Sequence, residues 1–487
     1  MDQPQLSRRR KRVILGICSM SLLIVGLDTT IVNVALPSIH ASFHASVSQL
    51  QWTIDAYTLV LASLLMLAGS TADRIGRRRT FQTGLVVFSL GSLLCALAPS
   101  IELLVAARVL QAIGGSMLNP VAMSIIRNVF EDPRERAQAI GLWGAMFGLS
   151  MALGPIVGGA LVDSVGWRAV FLVNIPVGVA AVVLTAAYVP ESRASRPRRL
   201  DPVGQLLVIA ALASLTYAII EGPRTGWSSA EILGLFAFSG VCFVALIGYE
   251  LRREEPLLEM RFFRSAPFAG ATAIAVCAFA AMGGFLFLNT LYLQDVRGLS
   301  PLDAGLYLLP MAAMTLVCAP LSGRLVGRSR ARPALLVAAL AMIGAALMLT
   351  SISPTTPALY LLGAYSLFGL GAGLVNPPIT NTAVSGMPST QAGVASAVAS
   401  TSRQVGMTLG VAVIGAIAGG SISGAIGKGF AAATHPAWWV LAALGVVILA
   451  LGVLTTTQWA RGTARETAER FREARGSAYA GQELAAG

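Results

Sequence analysis

Residues 13–39 read VILGICSMSLLIVGLDTTIVNVALPSI, an apolar run broken by a single carboxylate, Asp28. A helix rises about 1.5 Å per residue, so about 20 such residues cross a hydrocarbon core of about 30 Å. The run is long enough to span a membrane, which makes Asp28 the anomaly. An Asp near the middle of a span costs roughly 2.5–3.5 kcal/mol on insertion scales, so a partner must offset the charge or the protein must use it. The preceding RRRKR (8–12) gives the segment the look of a signal peptide. No small-residue cleavage site follows and Asp28 interrupts the run, so the segment reads as a retained first helix.

The same pattern recurs along the chain. Fourteen apolar stretches are long enough to cross: approximately 13–35, 48–70, 81–98, 103–126, 138–161, 169–189, 203–220, 231–249, 268–292, 303–322, 334–352, 358–380, 391–418 and 437–459. The 487 residues are 55% hydrophobic and only 12% charged, against about 25% charged in an average soluble domain. The chain reads as an all-α polytopic membrane protein.

A net charge of +12 raises the question of nucleic acid, and the placement of the charges answers it. Counted from a cytoplasmic N-terminus, 29 of the 35 Lys and Arg residues fall on inside segments, including Arg8–Arg12, Arg74–Arg79, Arg193–Arg199, Arg324–Arg332 and the tail. Outside loops hold only Arg168, Arg224, Arg297 and Lys428, while Arg108 and Arg403 fall within spans. This is the positive-inside bias. It predicts a multi-pass protein of the cell membrane with both termini cytoplasmic, a lipid bilayer as surroundings and no nucleic-acid partner. The five cysteines all lie inside spans, as buried filler, with neither a disulfide framework nor metal spacing. His40 and His44 share an i,i+4 spacing but have no carboxylate or Cys beside them, so no metal site is expected.

The chain also echoes itself. GGSMLNPVAMS (114–124) resembles GAGLVNPPITN (371–381), and DRIGRRR (73–79) resembles GRLVGRSR (323–330), at the similar offsets of 257 and 251. Spans 1–6 therefore correspond to spans 9–14, and the pair 203–220 and 231–249 is inserted. The expected organisation is a basic N-terminus (1–12), a six-helix bundle (13–190), a cytoplasmic linker (191–202), the inserted pair (203–250), a cytoplasmic loop (251–267), a second six-helix bundle (268–460) and a tail (461–487) that is amphipathic or frayed. Two pseudo-symmetric bundles are a transporter architecture, with the substrate site between them near the midplane.

Several separated motifs sharpen this reading. GSTADRIGRRR (69–79) joins spans two and three; Gly69 permits close contact, Gly76 supplies a permissive backbone for a short turn, and Asp73 can cap the next helix or pair with Arg74 or Arg77. A merely basic loop would explain the arginines but not the Asp and two glycines among them. The stretch resembles motif A of the major facilitator superfamily. LVAARVLQAIGGS (104–116) resembles that superfamily's motif around an intramembrane arginine, with Ala112 where Gly is usual. GLSMALGPIVGG (148–159) resembles its antiporter motif at Gly148, Gly154, Pro155, Gly158 and Gly159. LDTTIVNVALPSI and WRAVFLVNIPVG (167–178) resemble signatures of the fourteen-helix drug:proton antiporters. The likeness extends over roughly residues 13–460. It implies a major facilitator fold of two six-helix bundles plus two inserted helices, a cytoplasmic gate at motif A, and a packed seam at the antiporter motif that blocks proton leak.

The residues support that chemistry on their own terms. Arg108, Gln111, Gly115 and Asn119 share one helix face at about 100° per residue. An arginine cannot give up its proton, so this face must meet a polar cavity or a counter-ion, unless Arg108 simply ties helices together. Gly141, Gly144 and Gly148 are spaced for tight helix packing, and Pro155 can bend the span. Asp55 in span two is either an intramembrane charge or a solvated helix end; Arg403 in span thirteen either faces the cavity or snorkels to head groups. Burial works against the charged form of a carboxylate, so Asp28 is the leading proton carrier and Asp55 the next candidate, and the family resemblance implies a role for Arg108 beside the proton site. The competing reading is a structural Asp bonded to backbone or to Asn33. Candidate cavity residues are Asn33, Gln111, Asn119, Asn376 and Arg403.

The expected function is proton-driven efflux of lipophilic or cationic organic compounds by antiport, with the substrate competing for the Asp28 carboxylate. The transporter would work as a monomer and use the proton motive force in place of a cofactor. Export of a self-made metabolite or antibiotic, and nutrient symport, are the alternatives; the antiporter motif speaks against symport. A channel would need a persistent pore, and an enzyme would need a catalytic constellation that the sequence lacks. Some of the fourteen-helix antiporters that the chain resembles carry a carboxylate in the tenth span; here that region reads LLPMAAMTLVCAPL (308–321), with none, so the resemblance implies that dications are disfavoured.

Overall fold

A computed structural model describes residues 7–194, 200–253, 255–327, 331–384, 392–420 and 429–471. Arg196, Arg198 and Arg199 of the linker, Arg328 and Arg330, Lys428, and the tail from Arg472 onward lie outside the described residues. Among the described residues, fourteen helices are long and apolar enough to cross a membrane. They are α1 (Arg8–Phe43), α2 (Val47–Ile75), α3 (Arg77–Leu97), α4 (Ile101–Val129), α5 (Arg134–Ser164), α6 (Ala169–Tyr188), α7 (Pro202–Thr225), α8 (Ala230–Glu250), α9 (Ala266–Val296), α10 (Pro301–Gly327), α11 (Ala331–Leu349), α12 (Ala358–Val384), α13 (Val394–Gly420) and α14 (Phe430–Leu454). No strand occurs among the described residues. α1 begins and α14 ends on the same side, here the terminal face; the opposite side is the far face.

Short polar caps start many of the spans. Ser46 and Gln49 form a reciprocal capping box at α2, and the side chains of Ser100, Asp132, Asp201, Ser229 and Ser300 accept backbone N–H bonds at the starts of α4, α5, α7, α8 and α10. Each satisfies donors that a helix start leaves open. α6 is interrupted at Val173, just before Asn174 and Pro176.

Packing repeats between halves as the sequence echo implies. α1 lies on α5 as α9 lies on α13; α2 and α3 flank α4 as α10 and α11 flank α12. The inserted pair sits outside this repeat: α7 packs across α2 and α13, and α8 covers α7. Trp52 Nε1 donates to Glu221 Oε1 at 3.1 Å, and Gln205 Nε2 donates to the Ser63 carbonyl at 2.6 Å, fixing α7 to the first half.

The last span differs from the sequence reading: it is Phe430–Leu454 rather than 437–459. The helix passes through Pro436, and the His435 ring is satisfied by the Ile352 carbonyl at 2.9 Å. Of the two readings of the tail, the near part, 458–471, follows the amphipathic one and is helical. Its buried residues Ala460, Ala464 and Thr467 follow an amphipathic spacing, and Phe471 packs on Phe262 with ring centroids 5.4 Å apart.

Candidate functional site

Asp28 is fully buried, and its partner is Arg108, itself 1% exposed. Arg108 Nη1 donates to Asp28 Oδ2 at 2.5 Å, Gln111 Nε2 donates to Oδ1 at 2.8 Å, and Asn174 Nδ2 donates to Oδ1 at 3.1 Å. The surrounding polar groups close the knot. Arg108 Nε donates to the Thr53 carbonyl at 3.0 Å, and Gln111 and Asn174 both donate to Ser92 Oγ, at 2.6 and 3.2 Å. The guanidinium also stacks 4.1 Å from the centre of the Tyr57 ring. A buried carboxylate is tolerable only when paired and hydrogen-bonded, and this one has a cation and two amides. Thr53, Ser92, Arg108 and Asn174 all lie within about two turns of the far ends of their helices, so the knot occupies the far half of the membrane.

The expectation that Asp28 meets substrate directly is corrected by its position. The main cavity, about 810 Å³, lies between the halves and is lined by Thr29 but not by Asp28. It opens at the terminal face past Asp73, Arg127, Asp201, Glu255 and Glu259, and narrows to Met151, Phe279 and Met407 near the midplane. Of the expected lining residues, Asn119, Asn376 and Arg403 face it. Gln111 and Asn33 do not: Gln111 belongs to the knot, and Asn33 donates to the Thr29 carbonyl at 2.9 Å. The shared face of α4 does hold Arg108, Gln111 and Asn119, but the halves part only toward the terminal side. Its far portion therefore meets α1 and α6, and its near portion meets the cavity.

Asp55 is buried on α2 beside α13. Its Oδ1 accepts from Thr58 at 3.3 Å, Thr408 of α13 donates to Thr58 at 2.8 Å, and Asp55 Oδ2 has no partner among the described residues. It is an interior carboxylate at the seam of the two halves, not a solvated helix end, and it does not line the cavity.

The far face is closed by bonds across that seam. Gln51 Nε2 donates to the carbonyls of Val411 and Ala412 at 3.1 and 2.9 Å, Gln294 Nε2 donates to the Val34 carbonyl at 2.9 Å, and the Leu302 N–H donates to Asp163 Oδ2 at 2.9 Å. The antiporter motif is part of this closure. A side chain on Gly159 would meet the Pro301 carbonyl at 2.5 Å, and Gly154 and Gly158 press on Thr30 and Ile31 of α1. Gly141 and Gly144 face open space and Gly148 makes only an ordinary contact, so the tight packing lies one to three turns further along α5 than their spacing suggests. α5 runs unbroken through Pro155.

At the terminal face, Gly69 and Asp73 line the cavity mouth, and Asp73 Oδ1 accepts from Arg77 at 3.0 Å. Arg74 lies in the same turn of α2. Gly76 has φ +126°, a region that disfavours other residues. It leads into α3, whose first N–H, from Arg77, donates to the Ser192 carbonyl at 2.9 Å and whose next two, from Arg78 and Arg79, donate to the Glu191 carboxylate at 3.1 and 3.3 Å. Sequence reasoning missed Glu191, Ser92 and Asn174. The last two carried the signal that exposed Asp28, a polar residue alone in an apolar run; Glu191 caps a helix more than a hundred residues earlier and carried none.

The comparisons with known proteins agree with this architecture. Residues 18–411 match the Major Facilitator Superfamily. The chain is 39% identical over 398 residues to multidrug resistance protein Stp of Mycobacterium tuberculosis, covering 82% of this chain and 74% of that protein. It is 38% identical over 392 residues to the methylenomycin A resistance protein of Streptomyces coelicolor, covering 80% and 82%, and 37% identical over 401 residues to the tetracenomycin C resistance and export protein of Streptomyces glaucescens, covering 82% and 74%. In fold it is similar to an inward-facing bacterial homologue of the human lysosomal transporter Spinster, with TM-score 0.64, 18% identity and coverage of 96% and 98%. Paired six-helix halves around a central cavity, a matched sequence profile and close relatives converge on one conclusion: the chain is a multi-pass membrane transporter of the major facilitator superfamily.

Proposed function

We propose that the protein exports small organic molecules from the cytoplasm across the cell membrane in exchange for protons. The positive-inside bias supports a cytoplasmic terminal face, and with it a cavity open to the cytoplasm. The relatives' names, which speak of multidrug and antibiotic resistance and of export, favour antibiotics or similar metabolites as cargo.

The observation that carries the reading is the separation of two sites on shared helices. The Asp28–Arg108 pair sits in the far half, while Leu22 and Val25 on α1 and Asn119 on α4 line the cavity on the terminal side. Substrate therefore does not compete for the carboxylate itself. A proton arriving from the far side neutralises Asp28 and gives up the ion pair to Arg108, which loosens α1 from α4. Substrate entering from the cytoplasm acts on the same two helices, so the two loads favour opposite openings. Antiport needs that kind of exclusion, since each ligand shifts the equilibrium only by its differential affinity for the two states. Asp55, at the seam with α13, is the second candidate carrier.

The test is substrate-induced proton release in vesicles with an imposed pH gradient. Asp28→Asn keeps size and hydrogen bonding but cannot titrate, and should abolish the exchange. If the variant exchanges protons for substrate at the wild-type ratio, Asp28 is structural and Asp55 takes its place.

A further inference from the structure

Arg403 is the one charge set deep in the cavity wall among the described residues. It lies eleven residues from the start of its helix at Ala392, about 17 Å in at 1.5 Å per residue, level with Asn119 and Asn376. The acidic residues on the cavity lining, Asp73, Asp201, Glu255 and Glu259, all belong to the mouth. Three of them already face an arginine: Asp73 pairs with Arg77 at 3.0 Å, Asp201 with Arg253 at 4.0 Å, and Glu259 with Arg261 at 3.7 Å. Arg403 has no carboxylate within ion-pair distance among the described residues. Its partners are neutral: Nη1 donates to Asn376 Oδ1 and Thr380 Oγ1, both at 3.3 Å, and Nη2 donates to Ser400 Oγ at 2.8 Å.

A guanidinium has five N–H donors in a rigid fork suited to a carboxylate. Three are used here, which leaves Nε–H and one Nη2–H without a described acceptor. Within the membrane such a cation is costly unless something answers it. Snorkelling does not fit its depth, and the residue lines the cavity rather than the lipid face. The rest of the chamber offers apolar surface at Leu22, Val25, Met123, Phe279 and Met407, beside neutral polar groups such as Thr29, Ser124 and Gln404. The two intramembrane carboxylates that would attract a cation, Asp28 and Asp55, lie outside the cavity.

We propose that Arg403 is the substrate anchor of this cavity and that the preferred substrates are lipophilic anions, an ionised carboxylate or comparable acid on an aromatic or aliphatic frame. The acid group fills the open side of the guanidinium fork, with the amides of Asn119 and Asn376 at its flank, and the frame packs against the methionines and Phe279. This assignment rests on the export reading above and reverses the expectation of cationic cargo.

A matched set of anthracene probes, the 9-carboxylate, the 9-carboxamide and the 9-methylammonium compound, differs only in charge at one position. Binding to the purified full-length protein is read by probe fluorescence, and export by probe release from vesicles under a pH gradient. The wild type should bind the carboxylate at least tenfold more tightly than either other probe. In Arg403→Gln that preference should fall to about one, and Arg403→Lys should restore part of it. Monodisperse behaviour of both variants in detergent checks that they fold. Equal binding of all three probes by the wild type, tightest binding of the ammonium, or a uniform loss for all probes in Arg403→Gln overturns the proposal. Export of the ammonium compound without the carboxylate sinks this inference but leaves the transporter reading intact. Selective binding of the carboxylate with no export of any probe does the reverse.

Discussion

Removing Arg108 should damage the protein more than removing the charge of Asp28, and the two changes together should cost less than their sum. The geometry sets the asymmetry. In Arg108→Gln, the Asp28 carboxylate keeps the amides of Gln111 and Asn174 but loses its only cation while still buried. Breaking a buried pair from one side typically costs about 3–5 kcal/mol, because an uncompensated charge is left behind. In Asp28→Asn, Arg108 keeps the Thr53 carbonyl, the Gln111 carbonyl at 2.6 Å and the Tyr57 ring, so the loss should sit at or below the lower end of that range. Asp28→Asn with Arg108→Gln removes both charges and both desolvation penalties, and the coupling between the sites should reach about 1–3 kcal/mol, as expected for residues in one network. For a cooperative unit of 150–250 residues, about the size of one half, 1 kcal/mol moves the melting point by about 2–4 °C. Arg108→Gln should therefore lower it by roughly 6–20 °C, and the double variant should recover several degrees. The assay is thermal unfolding of the purified proteins in one detergent at one scan rate, since such melts are rate-dependent. Strict additivity of the two single effects would refute the reasoning, because it would mean that the charges do not sense each other.

Other perturbations test the gates. Gly76→Leu forces a side chain into a φ of +126° and to within 2.5 Å of the Glu191 carboxylate; strain of about 1–3 kcal/mol should cut turnover while membrane levels hold, and a wild-type rate would reduce motif A to a basic loop. Gln51→Leu deletes two bonds across the closed far face; at about 0.5–1.5 kcal/mol each, the far-open population should rise roughly 5- to 150-fold, read as a longer spin-label distance between the far ends of α2 and α13. An unchanged distance distribution would show that the seal lies elsewhere. Ser124→Cys, on the cavity wall, should react with a membrane-impermeant maleimide in inside-out vesicles and not in right-side-out ones; the opposite pattern would put the termini outside.

Much of this protein is legible without coordinates. Span length is set by the thickness of the hydrocarbon core, so the fourteen helices follow from apolar run lengths alone, and the echo of Asn119-Pro120 in Asn376-Pro377 is matched by equivalent packing of α4 and α12. A charge inside a membrane is expensive enough to mark itself, which is why Asp28, Asp55, Arg108 and Arg403 stand out in the bare chain. The sequence could not say which way each of them faces. Helical periodicity puts Arg108, Gln111 and Asn119 on one face, yet that face meets a sealed bundle at one end and an open cavity at the other, and only the tilt of one half against the other decides where the change occurs. Partners drawn from distant parts of the chain were equally hidden: Asn174 of α6 donates to Asp28 of α1, and Glu191, just past the end of α6, caps α3. Composition and periodicity are properties of single helices. Pairing and closure arise where helices meet, so the tertiary structure alone decided them.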